Sequence, residues 1–107
     1  MIPGSSAVGR HLVGCDYQGR SLAGFNLTSA NLSGANLTGA NLTGAILNNT
    51  NLSYANLTNS DLDLATLTNV NLHGATVTGA TSCGAHFTSV SQSAEVGGGP
   101  LTASTGC

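Results

Sequence analysis

Apolar and polar positions recur with a period of five residues through most of this chain. Residues 30–45 read ANLSGANLTGANLTGA, in which one five-letter word repeats. On an α-helix, five residues advance about 500°, so successive leucines would lie about 140° apart and form no apolar face. In a straight strand, an odd period would put successive leucines on opposite faces. The period therefore predicts a chain that turns a corner once per word, with every leucine pointing inward.

Four such sides close a square coil of about twenty residues, and successive coils stack at the β spacing of about 4.8 Å. The central positions carry residue numbers that end in 2 or 7. A small residue stands two positions earlier, Asn one position earlier and Gly two positions later. The pattern thus predicts an all-β solenoid of about four coils with a narrow core formed by Leu27, Leu32, Leu37, Leu42, Leu47, Leu52, Leu57, Leu62, Leu67 and Leu72.

The word A-N-L-x-G resembles the A-(D/N)-L-x-x motif of the pentapeptide-repeat family, over roughly residues 20–89. This resemblance implies a right-handed quadrilateral β-helix. We assign residues 20–89 to the solenoid and 1–19 to an N-terminal lead-in or cap segment with degenerate repeats, because Arg10 and Arg20 occupy small inward positions. Residues 90–107 form a Gly-rich tail or cap. Phe25 and Phe87 are large residues near the two ends, and we expect them to close the core there.

The chain has few charged residues, and this limits the classes of partner that it is expected to bind. The 107 residues include no Lys, two Arg and four acidic residues, for a net charge of −2. Because nucleic-acid binding needs a basic patch, no nucleic-acid partner is expected. No run of about twenty apolar residues predicts membrane insertion. The start, MIPGSSAVGRHLVG, lacks the basic flank and apolar stretch of a signal peptide, so we expect either that the protein is not exported by that route or that this is a processed or engineered form.

The three cysteines leave two pairings open. Cys15 occupies an inward small position and is interpreted as a buried free thiol. Cys83 follows a central position and should point outward, and Cys107 is the last residue. A Cys83–Cys107 disulfide would fasten the tail, whereas Cys107 could instead bridge two molecules. A disulfide would indicate an oxidising compartment and so favours an extracellular or cell-surface location.

The pattern brings together no catalytic residues. Asp61 and Asp63 flank one centre and are interpreted as part of a solvated face. His11 and His73 share a face but lie three coils apart, too far to share a metal ion, and His86 lies on another face. Stacked leucines should fill the interior and leave no pocket. We therefore expect no enzymatic activity, no metal and no cofactor.

Some pentapeptide-repeat proteins resemble B-form DNA in shape and charge and inhibit DNA gyrase, but the resemblance in fold does not by itself support that activity for this chain. That mechanism needs a long, strongly acidic rod, and this chain is short and nearly uncharged. The composition favours a structural or interaction module instead. Solenoid ends are sheet edges that can pair with another copy, so we expect end-to-end self-association into a dimer or filament. The alternative is a monomeric adaptor or spacer that binds another protein.

Overall fold

Parallel β-bridges join residues that are twenty positions apart. The computed structural model describes residues 6–91, and all structural statements below refer to that range. The bridges begin with Ser6 and Asn26, recur every five residues, and end with Asn71 and Ser91. Each circuit of twenty residues therefore lies directly on the circuit before it. We call one circuit a rung and name it by its residues, such as the 51–70 rung.

Two strands are long enough to be named. β1 is Thr66–Thr68 and β2 is His86–Thr88. They are parallel and in register, with Leu67 opposite Phe87. The other sides of the rungs contribute single bridges. A corner every five residues leaves too few extended residues on most sides for a longer strand.

The corners are four-residue turns that begin at the central residue. At a representative corner, the Leu32 carbonyl accepts a hydrogen bond from the Ala35 amide at 3.0 Å. The third residue of each turn has positive φ, at every residue number ending in 4 or 9 from 9 to 89. This is the type II pattern, in which glycine is favoured at the third position. It explains why Gly recurs two residues after the centre.

Leucine side chains fill the interior of the stack. The ten leucines from Leu27 to Leu72 at central positions all have 0% of their surface exposed. Alanines at the small positions, including Ala35, Ala40 and Ala45, are also fully buried. Burying a leucine side chain contributes roughly 1.5–3 kcal/mol. The core is thus a column of leucines held inside a square of backbone.

The rungs extend further toward the N-terminus than the sequence pattern suggests. Residues 6–19, which the sequence analysis placed in a lead-in or cap segment, carry the same turns and bridges as the rest. Arg10 and Arg20 hold small inward positions but are exposed. No described rung lies beneath them, so their side chains can leave the stack while the Arg10 amide still closes its corner onto Ala7 at 3.2 Å. Residues 92–107 of the predicted tail lie outside the described residues.

The two phenylalanines are placed differently. Phe25 is fully buried at a corner of the stack, where alanine stands in later rungs. Phe87 lies on β2 at a central position and is only half-buried, because it belongs to the last described circuit. Their roles as end caps stay predictions.

Candidate functional site

Most surface asparagines shape the turns of the backbone. The side-chain oxygen of Asn31 accepts a hydrogen bond from the Ser33 amide at 3.1 Å. The same bond, from an Asn or Asp side chain to the amide two residues later, recurs on all four sides of the stack. Asn side chains commonly form such local bonds in turns. These oxygens are therefore engaged in shaping the fold.

The two predicted carboxylates are also held by the backbone. Asp61 Oδ1 accepts hydrogen bonds from the Asp63 amide at 2.9 Å and from the Thr81 hydroxyl at 3.3 Å. Asp63 Oδ1 accepts from the Cys83 amide of the next rung at 2.8 Å. Both side chains thus link neighbouring rungs, as their common position on one face requires.

The histidines lie apart from one another. His73 packs edge-on against the ring of Tyr54, with the centroids 5.5 Å apart and the planes at 90°. His11 and His86 are exposed. Among residues 6–91, no three His, Cys, Asp or Glu side chains are grouped so that they could hold a metal ion. The same range holds no helix with the length and apolar character needed to cross a membrane.

One rung carries no glycine at its corners, a feature the sequence analysis missed. Tyr54, Asn59, Leu64 and Asn69 all have positive φ there. Bulky residues such as Tyr54 and Leu64 rarely adopt positive φ. Their side chains are 65% and 64% exposed. A Cβ built on the corner glycines of the next rung would meet their side chains: Tyr54 at Gly74, Asn59 at Gly79 and Leu64 at Gly84. Corner side chains of the 51–70 rung therefore cover the glycines that follow.

In the first described rung, some backbone groups have no partner within residues 6–91. The N-terminal edge is the name we give to the backbone of residues 11–23, on the side that faces away from the next rung. Among the described residues, the amides of His11, Asp16 and Ser21 donate to no acceptor. The equivalent amides one rung later all donate to the rung below, at 2.8–2.9 Å: Asn31 to Arg10, Asn36 to Cys15 and Asn41 to Arg20.

Core side chains at the N-terminal edge are incompletely covered. Leu12 and Tyr17 occupy central positions but are only half-buried. Burial raises the pKa of the Tyr17 phenol, and the neighbouring Cys15 adds to the rise through its charge and a hydrogen bond, while Arg20 opposes it. Cys15 is a free thiol and is half-buried. The edge thus combines unpaired backbone with partly exposed apolar surface.

The opposite end of the stack has both unpaired and engaged groups, and its amides at Val77, Gly79 and Gly84 donate to no acceptor among the described residues. The Leu72 amide donates to the Ser91 carbonyl at 2.7 Å. Gly74, Thr78 and Ser82 also have interaction partners. Cys83 is disulfide-bonded. Cys107 lies outside the described residues, so the predicted Cys83–Cys107 pairing itself stays a prediction.

The sequence matches the family model for pentapeptide repeats (eight copies) over residues 11–49 and 45–81, which together exceed half of the chain. The chain belongs to the pentapeptide-repeat family. The match begins within the segment that the sequence analysis set apart as degenerate, in agreement with the bridges at residues 11–19. The comparison with curated proteins finds no match.

Solved structures of other pentapeptide-repeat proteins resemble this one. A protein from the thylakoid lumen of Arabidopsis thaliana is 34% identical with a TM-score of 0.80, and the match covers 81% of this chain and 61% of that one. A protein from Nostoc PCC 7120 is 30% identical with a TM-score of 0.70, over 82% of this chain and 84% of that one. QnrB1, a plasmid-mediated fluoroquinolone resistance protein, is 18% identical with a TM-score of 0.59, over 88% of this chain and 68% of that one. At that identity the last likeness concerns the fold alone.

Proposed function

We propose that this pentapeptide-repeat protein is a non-enzymatic structural or protein-interaction solenoid of about four coils, which associates with itself end to end. The observation that carries the proposal is the N-terminal edge, whose amides at His11, Asp16 and Ser21 have no partner among the described residues. Unpaired edges of parallel sheets are templates for pairing with another chain. A second copy would satisfy these groups.

The way the rungs hold one another supports self-association. Within the stack, rung binds rung through backbone hydrogen bonds of 2.6–3.1 Å between residues nineteen or twenty-one positions apart. These bonds use the main chain, so a rung supplied by another molecule can make the same kind of bond. The net charge of −2 gives little electrostatic repulsion between copies.

A monomeric adaptor is the second candidate, and the same edge supports it. An extended segment of another protein could add to the N-terminal edge as a β-strand, in which main-chain hydrogen bonds give affinity. The two candidates differ in the partner that covers the edge. The mass of the purified protein therefore distinguishes them.

A gyrase-directed role is disfavoured. The fold likeness to QnrB1 shows no shared activity at 18% identity. DNA mimicry needs a strongly acidic surface, and this chain has four acidic residues among 107. Strong inhibition of gyrase supercoiling by the purified protein would overturn this conclusion.

Light scattering on the full chain, with and without reductant, tests the proposed function. Negative-stain microscopy of the same samples distinguishes small oligomers from filaments. We expect a mass above the 10.5 kDa of one chain that rises with concentration. A 10.5 kDa monomer at every concentration would exclude self-association and leave the adaptor.

A further inference from the structure

The N-terminal edge carries hydrogen-bond donors and acceptors side by side. Besides its three free amides, it has six carbonyls that accept no hydrogen bond within the described residues: His11, Val13, Asp16, Gln18, Ser21 and Ala23. In antiparallel pairing, two residues exchange both an amide and a carbonyl bond. An edge that offers both groups at the same residue can therefore pair with an identical edge. His11, Asp16 and Ser21 each offer both.

The opposite end also carries amides that donate to no acceptor among the described residues, at Val77, Gly79 and Gly84. Gly74, Thr78 and Ser82 have partners there, but the carbonyls of Ala75 and Ala80 accept no hydrogen bond within the described residues. A filament needs both ends to be free, because each molecule must bind through a different surface on either side. A two-fold dimer needs only one free end, which both copies use.

The distribution of charge also favours contact between like ends. Both cationic residues of the chain, Arg10 and Arg20, are exposed in the first rung, and Asp16 lies between them in sequence and is exposed as well. The described residues 71–91 include no Lys, Arg, Asp or Glu. A head-to-tail contact would leave the charges of the N-terminal edge opposite a neutral rung. A two-fold contact lets the carboxylate of each copy meet a guanidinium of the other.

We propose that two copies of the chain pair through their N-terminal edges about a two-fold axis and form a closed dimer. The contact covers Leu12 and Tyr17, the half-buried core residues of the first rung, and it restricts access to the Cys15 thiol. This inference rests on the proposed self-association and specifies its surface and its stoichiometry. It excludes a filament.

Replacement of one edge amide tests the contact. Ser21→Pro removes an amide that donates to nothing described and adds a ring that blocks close approach of another strand. Because the substitution occurs in both copies, we expect the dimer dissociation constant to rise by about tenfold or more. Ser21→Ala keeps the amide and should leave the constant unchanged. Sedimentation over a wide concentration range measures both variants, and their unfolding temperatures report whether the monomer fold persists.

A second variant covers the case in which Ser21→Pro does not fold. Arg20→Glu alters an exposed side chain and leaves the backbone intact, so the monomer should fold. It places a second carboxylate on each edge beside Asp16. We expect the dimer to weaken several-fold, and the effect to shrink at high salt because such pairs are screened.

Alkylation of Cys15, followed by peptide mass mapping of the unreduced protein, provides an independent readout. The dimer predicts slow alkylation at high concentration, faster alkylation on dilution, and fast alkylation of a folded Ser21→Pro at all concentrations. If neither Ser21→Pro nor Arg20→Glu weakens a wild type that associates, or if the wild type forms filaments, this inference fails while the proposed function stands. A wild type that is monomeric throughout, with Cys15 alkylation independent of concentration, overturns both.

Discussion

Polar side chains buried inside the stack differ in whether they have a hydrogen-bond partner. Thr50 occupies a small inward position, is 1% exposed, and donates its hydroxyl to the Leu27 carbonyl at 2.7 Å. Ser60 occupies the equivalent position on another side and is equally buried, but its hydroxyl has no partner among the described residues. A buried hydroxyl without a partner costs free energy, whereas a satisfied one contributes to stability. At the residue scale, the fold tolerates a polar core residue at an energetic cost that depends on its partner.

Ser60→Ala should therefore stabilise the protein. The substitution removes an unpaired buried hydroxyl and installs the residue that the repeat prefers, so the free energy of unfolding should rise by about 1 kcal/mol. The matched control is Ala40→Ser, one rung below on the same side, which should lower it by about 1–2 kcal/mol. Denaturant unfolding of the three proteins measures both changes. Equal stabilities would contradict the assignment of an unpaired Ser60 hydroxyl.

Tyr17 should make the stability of the fold depend on alkaline pH. Burial, together with Cys15, raises the pKa of the Tyr17 phenol above the ordinary tyrosine value of 10.0. A raised pKa in the folded state means that stability is fully present below pH 10.0 and is lost as pH rises through the folded pKa. Tyr17→Phe should flatten this decline. Unfolding curves between neutral and strongly alkaline pH test the slope, and Tyr54→Phe isolates the absorbance signal of the Tyr17 phenolate.

The corner is the element from which the fold is built. A turn every five residues with positive φ at its third position turns the chain through the same angle each time. Most corners use glycine, which adopts this conformation without strain. The 51–70 rung uses Tyr54, Asn59, Leu64 and Asn69 instead, and the first three cover glycines of the next rung. Corners of adjacent rungs are thus sterically coupled.

Paired glycine substitutions test this coupling. Gly39→Ala should cost about 1 kcal/mol from the positive φ alone, because nothing lies within 4 Å of the added Cβ. Gly79→Ala lies on the same corner column but meets the Asn59 side chain, so we expect an additional cost of about 1–3 kcal/mol. In an Asn59→Gly background, the cost of Gly79→Ala should fall to that of Gly39→Ala. Independent, additive effects in this double-mutant cycle would contradict the coupling.

The sequence predicts some of these elements well and others poorly, for physical reasons. The period of five predicts that Leu32 and Leu42 point into the interior, because the same inward position recurs in every rung. The extent of the solenoid toward Ser6 is harder to predict, since Arg10 departs from the small-residue pattern. A small residue is needed at the inward position because rungs above and below enclose it. An end rung has a neighbour on one side only, so a larger side chain fits there. The corners at Tyr54 and Leu64 were missed because their conformation is imposed by the stack against local preference.

At the scale of the whole molecule, the stack of residues 6–91 is held together mainly by backbone hydrogen bonds between rungs, and this bonding between rungs is incomplete at the two ends of that range. The N-terminal edge presents unpaired amides, two half-buried core side chains and charges of both signs. The other end has unpaired amides as well, but residues 71–91 carry no Lys, Arg, Asp or Glu. The two ends therefore differ in charge, and this difference favours closed association through the N-terminal edge, where charges of both signs can pair. Burial of Leu12 and Tyr17 would add to the stability of such a pair.

Amide hydrogen exchange by NMR, measured at low and high protein concentration, tests this account most directly. We predict that the amides of His11, Asp16 and Ser21 exchange quickly in dilute protein and become protected as concentration rises. The amides of Asn31, Asn36 and Asn41, which are bonded within the stack, should be protected at both concentrations. Edge amides that exchange quickly at every concentration, or that are already protected in the dilute monomer, would contradict pairing through the N-terminal edge.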